Sequence, residues 1–253
     1  MKTRIAIAAV CGALLIGGAG ACAASDTKTR NQAAEINTQL GLTYMRQGNL
    51  QAAREKIEKA LGQNPKTAQT QMAAGFLYDR LGEDKKAHGH FEQAVKLADG
   101  DPDVLNNAAV YYCRKGDKKV GEKYFLQAAQ SPLYKLPEVA YTNAGRCARA
   151  DGRPAEAEQY FRRALTFNAK QPDALLQLAD LFQELGKSAQ ARPFLQRHLA
   201  STPATSSALW LGYRIERSLG DALTATEYAE RMKMEFPTST ETGALLEAER
   251  GSQ

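Results

Sequence analysis

Apolar positions in this chain fall three and four residues apart, the spacing of a helix with one buried face, and glycine or proline interrupts them at regular intervals. The stretch from Ala34 to Thr67 shows the unit most clearly. Leu40, Gly41 and Tyr44 precede Gly48; Ala53, Ile57 and Ala60 follow it, and Pro65 ends it. This reads as a helix, a tight turn and a second helix. The turn glycines recur at Gly48, Gly82, Gly116, Gly152, Gly186 and Gly220, in steps of 34, 34, 36, 34 and 34 residues. Five residues after each stands Ala53, Ala87, Gly121, Ala157, Ala191 or Ala225. Four further on stand Ile57, Phe91, Phe125, Phe161, Leu195 and Ala229. No run of alternating Val, Ile and Thr suggests a sheet.

Each recurring position has a physical task. Gly41, Gly75 and Gly145 leave no side chain where the two helices of a unit cross, and Ala109 and Ala179 come close to that. Tyr44, Tyr78, Tyr112 and Phe182 fill the space between units, and Pro65, Pro203 and Pro237 stop second helices. The spacing resembles the tetratricopeptide (TPR) repeat. One repeat cannot bury its apolar face, whereas stacked neighbours share a continuous core. The expected fold is all-α, a TPR solenoid of six helix-turn-helix repeats forming a right-handed superhelix. The repeats run 34–67, 68–101, 102–137, 138–171, 172–205 and 206–237. The third carries two extra residues around Pro132 and Pro137, so a longer connection is expected before the fourth. The sixth is degenerate, with Trp210, Leu211 and Gly212 out of register by one. Residues 238–253 are read as a C-terminal capping helix and tail, with Ala244, Leu245 and Ala248 packing back.

The start of the chain follows a different rule. Lys2 and Arg4 precede an uncharged apolar run that closes in small residues, which is the pattern of a secretory leader over residues 1–21. The leader ends Ala19-Gly20-Ala21-Cys22, which resembles a bacterial lipobox except that Ala19 stands where Leu is usual. Cys22 is therefore the expected lipidated residue. Ala23 and Ala24 follow it rather than Asp, which by resemblance to lipoprotein sorting implies the periplasmic face of the outer membrane. Residues 22–33 are polar and are expected to be a flexible tether. The formal charge of +5 falls to about +3 once Lys2 and Arg4 are removed. Lys and Arg alternate with Glu and Asp along the helices, so a solvated face fits better than a nucleic-acid surface. The 43 % hydrophobic and 24 % charged content is ordinary for a folded domain.

Catalytic chemistry is not indicated. His88 and His90 lie two apart and point to different helix faces; His198 occupies a packing position. The chain beyond the leader carries no nucleotide-binding, metalloprotease or hydrolase motif, so no metal, cofactor or small-molecule substrate is expected. Cys113 and Cys147 fall on first helices of adjacent repeats. Export would place them where disulfides form, and pairing requires α-carbons about 4.4–6.8 Å apart.

A lipidated leader followed by six such repeats resembles the type IV pilus biogenesis lipoproteins, the PilF, PilW and Tgl family. Leu105-Asn106-Asn107, Pro132-Leu133-Tyr134 and Asn168-Ala169-Lys170-Gln171-Pro172 carry the likeness beyond the generic repeat. Ala109 and Gly121 depart from the usual glycine and alanine order. The resemblance implies a pilotin, a protein that brings the secretin subunit of the pilus to the outer membrane and promotes its multimerisation. The alternative is a general TPR scaffold for envelope or cell-wall assembly factors. In stacked repeats of this kind, positions two, five, nine and twelve of each first helix face the concave side. That register gives Leu42, Met45, Met72, Phe76, Asn106 and Val110 as an apolar partner groove, with Asn106 available to a partner backbone. Repeats four and five offer a more polar lining that includes Thr142, Arg146, Arg149 and Asp180.

Overall fold

The computed structural model describes residues 18–250, and every element among them is a helix. The helices pair as α1 (Gly18–Arg46) with α2 (Leu50–Gln63), then α3 (Ala68–Arg80) with α4 (Asp84–Leu97). These form the first of two compact units, Met1–Ala98. The second unit, Asp99–Gln253, holds four more pairs and a last helix. They are α5 (Pro102–Lys115) with α6 (Lys118–Gln130) and α7 (Pro137–Ala150) with α8 (Pro154–Phe167). Then come α9 (Pro172–Glu184) with α10 (Ser188–Leu199), α11 (Ser206–Leu219) with α12 (Ala222–Glu235), and α13 (Thr240–Arg250). The leader expected over residues 1–21 lies outside the described residues as far as residue 17. The Cys22 side chain lies outside them too.

Local chemistry sets the boundaries. Thr67, Asp101, Thr205 and Asp221 each accept a backbone N–H of the first turn that follows, satisfying a donor the helix leaves unpaired. Proline opens α5, α7, α8 and α9, where its missing N–H costs nothing. The six turn glycines all have φ between 70 and 100°, a conformation that side chains disfavour.

Within each pair, a missing side chain on the first helix admits a large one from the second. A Cβ placed on Gly41, Gly75, Gly145 or Gly212 would lie 2.4–2.9 Å from Ile57, Phe91, Phe161 or Tyr228. The spacing is the same in each case: 41 to 57, 75 to 91, 145 to 161, 212 to 228. The sixth repeat is thus internally consistent. Its whole crossing has moved one residue, and Tyr228 takes the place that sequence register gives to Ala229. The third repeat reverses the arrangement. A Cβ on Gly121 of α6 would lie 2.9 Å from both the Ala109 carbonyl oxygen and the Cys113 nitrogen of α5. The glycine has exchanged helices with the alanine, and the close crossing survives.

Two expectations fail. The polar stretch 22–33 is not a flexible tether; it is helical and continuous with α1. It is rich in alanine and holds neither glycine nor proline, so nothing breaks the helix, and the second helix of the pair supports it. Arg30 donates to the Gln63 carbonyl at 3.3 Å, and Asn64 donates to Asn31 at 2.9 Å. At the other end, α13 forms, but Ala244 and Ala248 are exposed. Leu245 and Thr242 are the buried pair, three apart, and Thr242 donates to the Phe236 carbonyl at 2.8 Å.

Candidate functional site

The first unit carries an open apolar pocket. Leu42 and Met45 of α1 and Phe76 of α3 line it, with Arg46 and Arg80 beside them. Its volume is about 230 Å³, below the ~300 Å³ at which small-molecule sites begin, and suited to a large side chain. Leu42 and Phe76 are half-buried, and both arginines are exposed. The Phe76 ring meets Phe91 edge-on at 5.2 Å, so the core fixes its angle. Arg80 donates to the Met45 carbonyl at 2.6 Å, satisfying an acceptor near the end of α1 and tying α3 to it. Arg46 donates to Thr43 at 3.1 Å. The pocket is thus an apolar floor with two fixed cations. Sequence reading missed both arginines, although they share a signal: each is the thirteenth residue of its repeat.

The structure sorts the expected groove residues by register. Position nine looks out: Leu42 and Phe76 are half-buried, and Val110 in the second unit is 43 % exposed. Position five does not. Met72 is buried at 7 % and takes no part in the pocket; Thr142 is buried at 2 % and donates to the Glu138 carbonyl. Thr38, also at position five, sits 3.0 Å from Thr70 across α1 and α3. Asn106 accepts from Asn143 across α5 and α7 at 3.3 Å, so its carbonyl is engaged within the chain. At position five of repeats one and three the polar side chain thus meets a neighbouring first helix instead of water. By contrast, Leu176 of repeat five lines a second open pocket of about 300 Å³ with Trp210 and Leu211. Met45 lines the pocket but is only 4 % exposed.

Electrostatics around the first unit are local. Arg54 and Lys86 both pair with Glu83, and the Lys86 hydrogen bond in particular holds that carboxyl below its usual range. Burial raises the Tyr78 hydroxyl, with Glu58 beside it adding to the effect. His90 stacks on Tyr78 at 5.2 Å and lies 2.7 Å from Gln71; burial lowers its pKa, which favours the neutral ring.

The second unit is cross-braced. Cys113 of α5 and Cys147 of α7 are bonded, with α-carbons 5.8 Å apart. Arg153 pairs with Glu122, Asp151 and Glu156, and Tyr160 donates to Glu122 at 2.5 Å. Burial alone would raise the Glu122 carboxyl, but the hydrogen bonds from Arg153 and Tyr160 outweigh it, and its pKa is lowered. Arg149 of α7 reaches Asp180 and Glu184 of α9 at 2.6 and 2.5 Å. Arg192 of α10 pairs with the buried Glu216 of α11. His198 is buried against the Pro172 carbonyl at 3.0 Å. Among the described residues, no group of three or more His, Cys, Asp or Glu side chains is placed to hold a metal ion, and no helix is long and apolar enough to cross a membrane.

Comparison with known proteins points the same way as the repeat geometry. Tetratricopeptide repeat models match residues 32–99, 106–175 and 148–211. The chain is 28 % identical over 214 residues to the type IV pilus assembly protein PilF of Pseudomonas aeruginosa, covering 85 % of each chain. It matches the crystal structure of PilW, a widely conserved type IV pilus biogenesis factor, with a TM-score of 0.76 and 29 % identity. That match spans 85 % of this chain and 99 % of the other. A structure of Pseudomonas aeruginosa PilF gives a TM-score of 0.73 at 26 % identity, over 87 % and 99 % of the two chains. Six helix pairs in a 34-residue rhythm, and likeness over nearly the whole length, make this chain a tetratricopeptide repeat protein homologous to the type IV pilus biogenesis proteins PilF and PilW.

Proposed function

We propose that this protein is a pilotin, an outer-membrane lipoprotein acylated at Cys22 that binds the type IV pilus secretin subunit and promotes its multimerisation. One observation carries the reading: a chain homologous to pilus biogenesis proteins keeps an open apolar pocket, with two arginines beside it, on the first helices of its first unit. Apolar surface that a repeat array does not need for its own core favours a partner. A short amphipathic helix fits such a floor, with one large apolar side chain seated between Leu42 and Phe76.

The test uses Leu42→Asp rather than a change at Phe76, because Phe76 also packs on the buried Phe91 and its loss would disturb the fold. In cells relying on the variant, secretin multimers should fall at least tenfold, while helical circular dichroism of the purified protein stays unchanged. Normal multimers in such cells would overturn the pocket assignment. For the anchor, the intact mass of protein purified from membranes should show Cys22 as the acylated first residue; an unmodified, water-soluble product would refute it.

A further inference from the structure

The two cations beside the first-unit pocket meet no opposite charge within the chain. Arg46 is the last residue of α1 and Arg80 the last of α3, and both are exposed. Arg46 donates to the Thr43 hydroxyl and Arg80 to the Met45 carbonyl, both neutral acceptors. Among the described residues, neither forms an ion pair, and Glu83, just after α3, is taken by Arg54 and Lys86. Each arginine follows an apolar wall of the pocket by four residues, Arg46 after Leu42 and Arg80 after Phe76. That spacing makes each pair neighbours on one helix face, about 5–6 Å apart at the β-carbons. A ligand that fills the pocket therefore brings the group one turn from its anchor up to two guanidinium heads.

The surface next to the pocket narrows the occupant further. Lys28, Gln32, Glu35 and Gln39 precede Leu42 and Arg46 on one stripe of α1, spaced alternately four and three residues. With Gln69 and Thr70 of α3, those first four line a groove between the same two helices. Every described residue lining it is polar, with one charge of each sign. A hydrocarbon chain leaving the pocket along this groove meets no apolar side chain, whereas a polypeptide finds amides and hydroxyls for its own polar groups.

We propose that the pocket takes an acidic amphipathic helix of a partner protein. One large apolar side chain sits between Leu42 and Phe76, and a carboxylate one turn away meets Arg46 and Arg80. This rests on the reading that the pocket holds a protein partner, and it adds the chemistry that selects that partner. A guanidinium has five donors, and the bonds now made leave most of them for a carboxylate, whose two oxygens match its fork. A helix without the acid would fill the floor and leave both cations unmatched; a basic helix would be repelled.

The test selects its own ligand. A displayed library of helical peptides, randomised along one face, is panned on the full chain carrying Cys22→Ser, which removes the proposed acylation site. Recovered peptides should carry Phe, Leu, Met or Trp with Asp or Glu three or four residues away. Leu42→Asp should weaken them at least tenfold, and Arg46→Glu roughly tenfold. Changing the peptide's acid to Lys should restore binding to the Arg46→Glu protein and weaken it to wild type, an exchange that a merely structural arginine would not show. Lys59→Glu, the same charge change at an exposed site outside the pocket, should stay within about twofold. Circular dichroism checks that each variant is folded. An empty selection, neutral or basic winners, or equal losses from Arg46→Glu and Lys59→Glu would overturn the proposal. So would binding to phosphatidylglycerol vesicles, or self-association, that Arg46→Glu abolishes, which would give the pocket to lipid or to a second copy. Secretin multimers lost in Leu42→Asp cells but kept in Arg46→Glu cells would overturn the acidic helix and leave the pilotin reading standing. Acidic helices recovered while Leu42→Asp cells keep normal multimers would do the reverse.

Discussion

The two units share one repeat but hold it together differently. In the first, α1 and α3 meet through Thr38 and Thr70, the Arg80 bond to the Met45 carbonyl, and side chains of modest polarity; Arg54 and Glu83 supply an ion pair between repeats. In the second, neighbouring repeats are braced by a disulfide and by arginines at 149, 153 and 192, each paired with carboxylates on another helix. Both units keep an open pocket on their first helices, lined by Leu42, Met45 and Phe76 in the first and by Leu176, Trp210 and Leu211 in the second, and the second pocket lies in repeats that the disulfide does not join. Repeat packing alone leaves the first helices free to present side chains. Each added brace uses some of them up.

Breaking the disulfide should have the largest effect. Its ends lie 34 residues apart, and constraining a loop of that length contributes about 3–4 kcal/mol. Replacing both Cys113 and Cys147 by Ser should lower the melting temperature of the second unit by about ten degrees. Trp210 is the single tryptophan and belongs to this unit, so its fluorescence reports that transition alone. The partner binding proposed for the first-unit pocket should be unchanged. Next comes Glu122→Ala, which leaves Arg153 and Tyr160 without their shared acceptor and should cost about 2 kcal/mol. The pH dependence has a definite sign. The folded Glu122 carboxyl lies below its ordinary value of 4.5, so its contribution is complete above that value and is lost as pH falls through the lowered one. Acid melts of wild type and Glu122→Ala should therefore converge.

A smaller effect tests the exchanged glycine. Gly121→Ala places a methyl against the backbone of Ala109 and Cys113 and should cost about 1–2 kcal/mol. Adding Ala109→Gly restores the order of the other repeats and should recover most of that in a chemical denaturation series. If Gly121→Ala is neutral, the close crossing of α5 and α6 is not what selects glycine there. The smallest effect is expected in the first unit. Thr38→Val removes one buried hydroxyl facing Thr70 and should cost about 1 kcal/mol, visible as a modest shift in helical circular dichroism on denaturation.

Much of the fold was legible because the repeat is a local code. Turn glycines, crossing glycines and prolines act within about one repeat length, and sequence spacing displays that distance directly. The tether failed for lack of such a signal: an alanine-rich polar stretch reads as loop by composition, and only its contacts with residues 63 and 64 show it as helix. Site residues were harder. Periodicity says that Leu42, Met72 and Phe76 share a helix face to within one residue's rotation. It does not say that Thr38 and Asn106, at position five, turn toward the next first helix while position nine turns away. Arg46 and Arg80 share position thirteen, but their role was hidden for a related reason. Their side chains matter for where their heads end, and a register of Cα positions carries no information on that.

The fixed interval between each crossing glycine and its bulky partner also governs how the chain acquires its structure. Contacts sixteen residues apart close short loops, so each helix pair can form early and with little entropic delay. Within each unit the end helices should accordingly open locally before the unit's own melting transition, with neighbours adding stability in turn. The Cys113–Cys147 bond interrupts that order. Once oxidised, it keeps the third and fourth repeats at each other's side even when their helices have melted, so refolding there begins from a preassembled seed. Hydrogen exchange in the second unit should then be slowest in α5 and α7 and fastest toward α13.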